Sequence, residues 1–211
     1  MNQVETLLLA VRHGQTAWNT SGRLRGRAEV PLDDVGLRQA EAVADYLAAN
    51  YKPAAVFASP LERTVITAQA IASRFGLAVA QEPDLVDLDF GQATGLSLPE
   101  ASAAFPDTAR DWLERPHTVT FPGGESIGQV RARCAAFVWR ARRLYPGQQV
   151  VAVTHQVVLR VLAGYLLGMP ESALWHIDFD TASLTVFALG DGVARLVKSN
   201  ETAHLAALAA S

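Results

Sequence analysis

Two dipeptides, Arg12-His13 and Thr154-His155, each follow directly on a short apolar run. A third group, Ser59-Pro60-Leu61-Glu62-Arg63, follows the run at residues 54–58. Gly14, next after His13, lets the chain turn and come close to a ligand. A lone histidine after a strand is usually a structural hydrogen-bonder, but two at the ends of two strands can meet at one site. Arg63 falls in the first turn of a helical segment, where the dipole disfavours a cation by about 0.3 kcal/mol or more unless an anion lies nearby. Alone, it reads equally well as an exposed cation paired with Glu62 or with solvent. Together, two arginines and two histidines at one edge suit a dianion such as a phosphoryl group, which guanidinium forks neutralise and grip.

These residues need elements to carry them. The segment Thr6-Leu-Leu-Leu-Ala-Val11 is almost continuously apolar, as in a parallel strand covered on both faces. Residues 36–50 place Leu37, Ala40, Val43, Ala44 and Leu47 on one helical stripe. A strand at 54–58 precedes a helix at 61–75, which Gly76 stops, and a third strand follows at 77–80. Residues 126–145 form a long amphipathic helix through Ile127, Val130, Cys134, Phe137, Val138, Ala141 and Leu144. A fourth strand at 150–154 leads into a helix at 157–167. The runs at 183–189 and 193–198 make an antiparallel pair turned at Gly190-Asp191-Gly192. This alternation predicts an α/β fold, a three-layer α/β/α sandwich with a mostly parallel central sheet. The active site should lie beyond the carboxyl ends of the strands.

At 211 residues, with half of them hydrophobic and 18% charged, the chain suits a single domain and cannot be disordered. Residues 84–124, rich in Gly and Pro with short helical pieces at 99–105 and 108–114, read as a small cap inserted over the sheet. The net charge of −3 supplies no basic field for nucleic acid or an anionic membrane. Cys134 is the sole cysteine, so no intrachain disulfide or multi-thiolate metal site forms, and its plain role is in the core. Metal-ligand spacings are absent, so neither a metal nor another cofactor is expected. The apolar run at 157–169 carries Arg160 and is shorter than the ~20 residues a membrane span needs. With no secretory signal at the start, a cytoplasmic location is expected; the tail at 203–211 reads as a fraying helix or a disordered end. A homodimer is compatible with the sequence.

The stretch Val11-Arg-His-Gly-Gln-Thr-Ala-Trp-Asn19, with Gly22-Arg23, Gly26, Pro31-Leu32 and Gly36-Leu37-Arg38-Gln39-Ala40, resembles the opening of the histidine phosphatase (phosphoglycerate mutase-like) superfamily. Ser59-Pro60-Leu61-Glu62-Arg63-Thr64 with Thr67-Ala68 resembles its second signature, and Val153-Thr154-His155 its third. Leu85-Val-Asp-Leu-Asp-Phe-Gly91 and Pro122-Gly-Gly-Glu-Ser126 also fit in order. The resemblance covers nearly the whole chain. It implies that His13 is a nucleophile accepting a phosphoryl group, with Arg12, Arg63 and His155 clamping its oxygens and Asn19 a further phosphate ligand. Charge neutralisation by such groups needs no metal. Nearby guanidiniums also favour a neutral, nucleophilic imidazole.

Two departures from the family pattern stand out. Asp87 occupies the place of the usual glutamate proton donor, one methylene shorter, and Asp89 is the weaker substitute. Gln156 follows the second histidine where glycine is common, so it either narrows the site, contacts substrate or faces outward. Arg23 and Arg25, after the phosphate-binding turn, are candidates for contact with an anionic substrate. Trp18 and Trp112 either line the substrate mouth or pack under the cap, and His117, His176 and His204 read as structural. The arginines between 131 and 143 read as a solvated helix face. The resemblance implies a metal-independent phosphomonoesterase for a small phosphorylated metabolite, working through a phosphohistidine. A phosphoglycerate mutase is the alternative, but the run after Asp87 does not resemble that of the longer mutases. A catalytically weak binding member is the third reading.

Overall fold

The computed structural model describes residues 5–192 and 194–208. Six strands form one sheet: β1 (Thr6–Arg12), β2 (Pro53–Ala58), β3 (Val79–Gln81), β4 (Gln149–Thr154), β5 (Leu184–Leu189) and β6 (Ala194–Glu201). Their order is β3-β2-β4-β1-β5-β6, and β3, β2, β4 and β1 pair in parallel. β5 runs antiparallel to both of its neighbours. The helices are α1 (Ala17–Thr20), α2 (Asp34–Asn50), α3 (Glu62–Ser73), α4 (Leu98–Ala104), α5 (Pro106–Glu114), α6 (Ile127–Leu144) and α7 (Gln156–Leu167).

Because side chains alternate across a strand, the continuous apolar runs feed two cores at once. Leu9 and Val11 of β1, with Val151 and Val153 of β4, pack on Val43 and Leu47 of α2 and Ile71 of α3. Leu8, Ala10, Val150 and Ala152 face the other way, onto Cys134 and Phe137 of α6 and Val158 and Leu162 of α7. The result is the mostly parallel three-layer sandwich that the sequence implies, with Cys134 a buried core residue.

Several boundaries differ from the sequence reading, each for a local reason. α2 starts earlier because the Asp33 side chain accepts from the Gly36 amide and caps it. α7 begins at Gln156, directly after His155. The short α1 was not expected; Asn19 and Thr16 close a capping box around it. β6 extends to Glu201, whereas the expected start of that strand, Val193, lies outside the described residues. Of the tail, residues 203–208 form a 3-10 helix and residues 209–211 lie outside the described residues. Leu37, expected inward, is exposed, as is Leu144 at the last residue of α6. Gly36 takes the inward position instead, since the Gln15 backbone presses against it. Among the described residues no helix is long and apolar enough to cross a membrane.

That contact at Gly36 fixes the loop after β1. A Cβ on Gly36 would lie 2.1 Å from the Gln15 carbonyl oxygen, and one on Gly14 2.4 Å from that of Gly36. Backbone meets backbone there, so neither side can yield easily. Gly36→Ala is expected to destabilise the protein by about 1–3 kcal/mol, a drop in Tm of about 2–4 °C per kcal/mol. Thermal unfolding by circular dichroism checks this; an unchanged Tm would show that the loop relaxes freely.

Candidate active site

The register of β1 on β4 pairs Arg12 with Thr154, so both chains leave the sheet at the same level. The His13 amide then donates to the Thr154 carbonyl at 3.0 Å. Consequently His13 and His155 stand side by side, with ring centroids 5.2 Å apart, and both are fully buried. The first chain enters the α2 layer and the second enters α7 on the opposite face. β1 and β4 therefore flank the crevice where the connections diverge, the usual ligand position in such sheets.

His13 Nδ1 lies 2.6 Å from the Gly14 carbonyl. A carbonyl can only accept, so Nδ1 carries the hydrogen and Nε2 is left with a free lone pair. Nε2 is buried without a partner among the described residues. Burial, with Arg63, Arg12 and Arg25 alongside, holds His13 well below its ordinary value of 6.5. The ring is thus a neutral imidazole whose lone pair is available for attack.

The arginines are held by backbone. Arg63, buried in the first turn of α3, donates to the Ala28 and Gly26 carbonyls, both at 2.8 Å. Its Nη2 lies 3.6 Å from Asp87 Oδ2. The exposed, Glu62-paired alternative for Arg63 is therefore wrong, because the loop at 24–29 folds over α3 and offers it carbonyls. Arg12 donates to the Phe179 carbonyl at 2.6 Å. Burial lowers the proton affinity of Arg12, Arg25 and Arg63, and Asp87 opposes this in all three. The Nε atoms of Arg12, Arg25 and Arg63 are buried without protein partners, as is His155 Nδ1. With His13 Nε2 they make five of the seven such side-chain atoms among the described residues; the three arginines all act on His13, and His155 stands beside it. The four that donate, the three arginine Nε and His155 Nδ1, are matched by a ligand with several acceptor oxygens set against the His13 lone pair.

Ser59 Oγ accepts from the Leu61 amide and lies 2.8 Å from His155 Nε2, so its hydroxyl donates to Nε2 and the ring hydrogen sits on Nδ1. Burial, then Arg63 and His13, push His155 well below 6.5. Asp87 Oδ2 is 3.8 Å from His155 Nδ1, and Oδ1 accepts from the Leu88 amide at 2.9 Å. Burial raises the Asp87 carboxyl above its ordinary value despite the opposing pull of Arg63 and Arg25. A buried carboxyl with raised affinity for its proton is suited to general-acid work. Asp89 is drawn elsewhere, accepting from Gly91 N and facing Arg27 at 3.5 Å.

A cleft of about 420 Å³ opens onto this cluster, with Arg12, Arg25, Asn19, Asp87 and Gln156 in its lining. Asn19 Oδ1 is taken by Thr16, which leaves its amide nitrogen free to donate. Gln156 faces the cleft rather than solvent, its Nε2 3.5 Å from the Phe179 carbonyl. Arg23 also lines the cleft, but Gly95 O and Glu100 already hold it. Trp112 both lines the cleft and packs edge-on against Phe90, while the Trp18 ring lies against Gly95. His117 and His176 are not part of the cleft lining, and His204 Nε2 bonds the Ala182 carbonyl.

Sequence reasoning passed over Ser59 as a partner of His155, although a hydroxyl ending the strand next to β4 was a usable signal. It also missed Trp175, Asp180 and Thr181, which line the cleft from a loop carrying no motif. The arginines of α6 are mostly paired rather than solvated. Arg133 bonds Glu125 and the carbonyls of Asp84 and Asp87, bracing the backbone that presents Asp87.

The sequence profile of the histidine phosphatase superfamily (branch 1) matches residues 8–202. The chain belongs to that superfamily. It is 34% identical to phosphoserine phosphatase 1 of Hydrogenobacter thermophilus, covering 94% of this chain and 93% of that one. It is 35% identical to a metal-independent phosphoserine phosphatase of Arabidopsis thaliana, over 74% of this chain and 67% of that one. A bifunctional protein of Mycobacterium tuberculosis is longer: 37% identity spans 95% of this chain but 55% of that one. Among solved structures, a mycobacterial glucosyl-3-phosphoglycerate phosphatase complexed with VO3 superposes with a TM-score of 0.84 at 28% identity, covering 93% of this chain and 99% of that one. Family and relatives make this chain a phosphatase of the histidine type.

The two buried imidazoles set a pH dependence of stability. Unfolded, each binds a proton near pH 6.5; folded, each does so only at much lower pH. The unfolded state therefore holds more protons below that value, and stability falls as pH drops through it. Asp87 acts in the opposite sense, adding stability while protonated and losing it as pH rises through its raised folded value. Calorimetry is expected to give a Tm that declines between pH 7 and pH 5 more steeply for the wild type than for His13→Ala. Equal slopes would mean that His13 titrates normally in the fold.

Proposed function

We propose that the protein is a metal-independent phosphomonoesterase for small phosphorylated metabolites, with His13 as nucleophile and Asp87 as proton donor. The observation that carries this is the convergence of the unpartnered Arg12, Arg25, Arg63 and His155 nitrogens around His13 Nε2. The phosphoryl group sits among these donors, with Asn19 and Gln156 adding amide contacts from the rim. His13 Nε2 attacks phosphorus, the bond to the ester oxygen breaks, and the Asp87 carboxyl gives its proton to the departing alkoxide. The Nδ1 hydrogen stays on the Gly14 carbonyl, which stabilises the charge that the ring gains. Water then attacks the phosphohistidine and passes a proton to Asp87. Inorganic phosphate leaves, and the neutral imidazole returns. Phosphoryl transfer asks chiefly for such positioning and charge neutralisation.

Residues 84–124 read as a cap on a single domain, bringing Asp87, Phe90 and Trp112 to the cleft. The relatives named above act on different esters, which fits a fixed phosphoryl site under a variable wall. No observation favours the mutase alternative.

Hydrolysis of p-nitrophenyl phosphate in EDTA tests the reading. The wild type should turn over, and His13→Ala should not. Acid-labile, base-stable phosphate should be trapped on the wild type only. Asp87→Asn should lower kcat about 10²–10⁴-fold for poor leaving groups, with a smaller loss for p-nitrophenolate. A His13→Ala enzyme of full activity would sink the assignment.

A further inference from the structure

The cleft is cationic where the phosphoryl group binds, yet its wall carries a carboxylate that this chemistry does not use. Asp180 lies in the lining, in the loop between α7 and β5. It is exposed, and no guanidinium among the described residues forms an ion pair with it. Among the described residues its only side-chain hydrogen bond joins Oδ2 to the Asn200 amide at 2.9 Å, and Oδ1 has no partner.

The surrounding backbone is shaped to hold it there. Asn200 Oδ1 also accepts from the Asp180 amide at 2.7 Å, closing a two-point clamp from β6. Asn200 itself adopts a left-handed conformation, φ 47°, which asparagine tolerates better than most residues. The Ser183 amide donates to the Asp180 carbonyl at 3.1 Å, forming a turn that passes through Ala182 at φ 54°. A non-glycine residue there is strained and persists only where its surroundings pin it. Both its backbone groups are pinned: the amide donates to the His13 carbonyl at 3.1 Å, and the carbonyl accepts from His204. One residue before Asp180, the Phe179 carbonyl holds Arg12. The chain that positions Asp180 is thus bolted to both the nucleophile and a phosphate-binding arginine. Its field also acts on Arg12, so the carboxylate is near the place where the phosphoryl group is gripped.

We propose that Asp180 is a specificity-determining residue that binds an ammonium group on the substrate, so that the preferred substrates are phosphomonoesters of amino alcohols and amino acids. The proposal rests on the phosphatase reading above. An ammonium donates to the free Oδ1 and balances the carboxylate, whereas a second anionic group in that position meets like charge. The aromatic wall of Trp112 and Phe90 is compatible with a cation and offers no competing acceptor.

The test compares two esters of equal length that differ only at the far end, O-phosphoethanolamine and 2-hydroxyethyl phosphate, in the wild type, Asp180→Asn and Asn200→Ala. The wild type should favour the ammonium ester about tenfold or more in kcat/KM, as for a hydrogen bond to a charged group. Asp180→Asn keeps the shape and an acceptor for Asn200, and should bring the ratio close to one. Asn200→Ala should reduce the ratio partly, through KM more than kcat. A wild type that hydrolyses both esters equally, or an Asp180→Asn enzyme that keeps the preference, overturns this inference and leaves the phosphatase reading intact. A wild type that hydrolyses neither ester nor p-nitrophenyl phosphate overturns both.

Discussion

The whole candidate site hangs on the parallel pairing of β1 with β4. Arg12 opposite Thr154, and the His13 amide on the Thr154 carbonyl, bring two histidines from distant parts of the chain to one level. A slip of one residue would turn each strand's inward side chains to the other face. Two cores would then be wrong at once, since Leu8 and Leu9 belong to opposite layers. The packing of two helical layers thus fixes the register that sets the rings 5.2 Å apart.

Charge is handled differently inside and outside the cleft. Arg63 gives two hydrogens to carbonyls and Arg12 one, which satisfies donors without cancelling charge. On α6 the arginines meet carboxylates instead, such as Arg133 with Glu125 and Arg140 with Asp84. Neutral acceptors therefore hold the guanidiniums of the candidate site in place while keeping their field for an incoming dianion. Asp87, at 3.6 Å from Arg63, is the one buried carboxyl in the cluster. Burial raises its affinity for a proton, and Arg63 and Arg25 oppose that rise.

The half of the candidate site around the two histidines was legible in the sequence because its residues sit where strands end. Arg12, His13, Arg63 and His155 are each fixed by the end of a strand or the first turn of the next helix, and residue type alone then narrows the chemistry. What was not legible depends on loops meeting across long separations. The burial of Arg63 depends on carbonyls at Gly26 and Ala28, which no periodicity announces. Asp180 and Trp175 belong to a loop whose course is set by Arg12, Asn200 and Arg160, contacts made only in three dimensions. Leu37 went astray for a steric reason: backbone contact at Gly36 claims the inward position that the apolar stripe assigned to its neighbour.

The aromatic side of the cleft is built from two segments far apart in the chain. Trp175 donates to the Trp112 carbonyl at 2.9 Å, and the two rings meet edge to face 4.8 Å apart. Arg160 stacks on Trp175 from α7, the helix that begins at Gln156. Neither segment can be reshaped alone without unseating the other. New substrate preferences in this scaffold are therefore accessible mainly through small exchanges at the rim or through paired changes in both segments. Residues 84–124 and 171–181 should in consequence diversify as a linked pair, while the strand ends beneath them stay as they are.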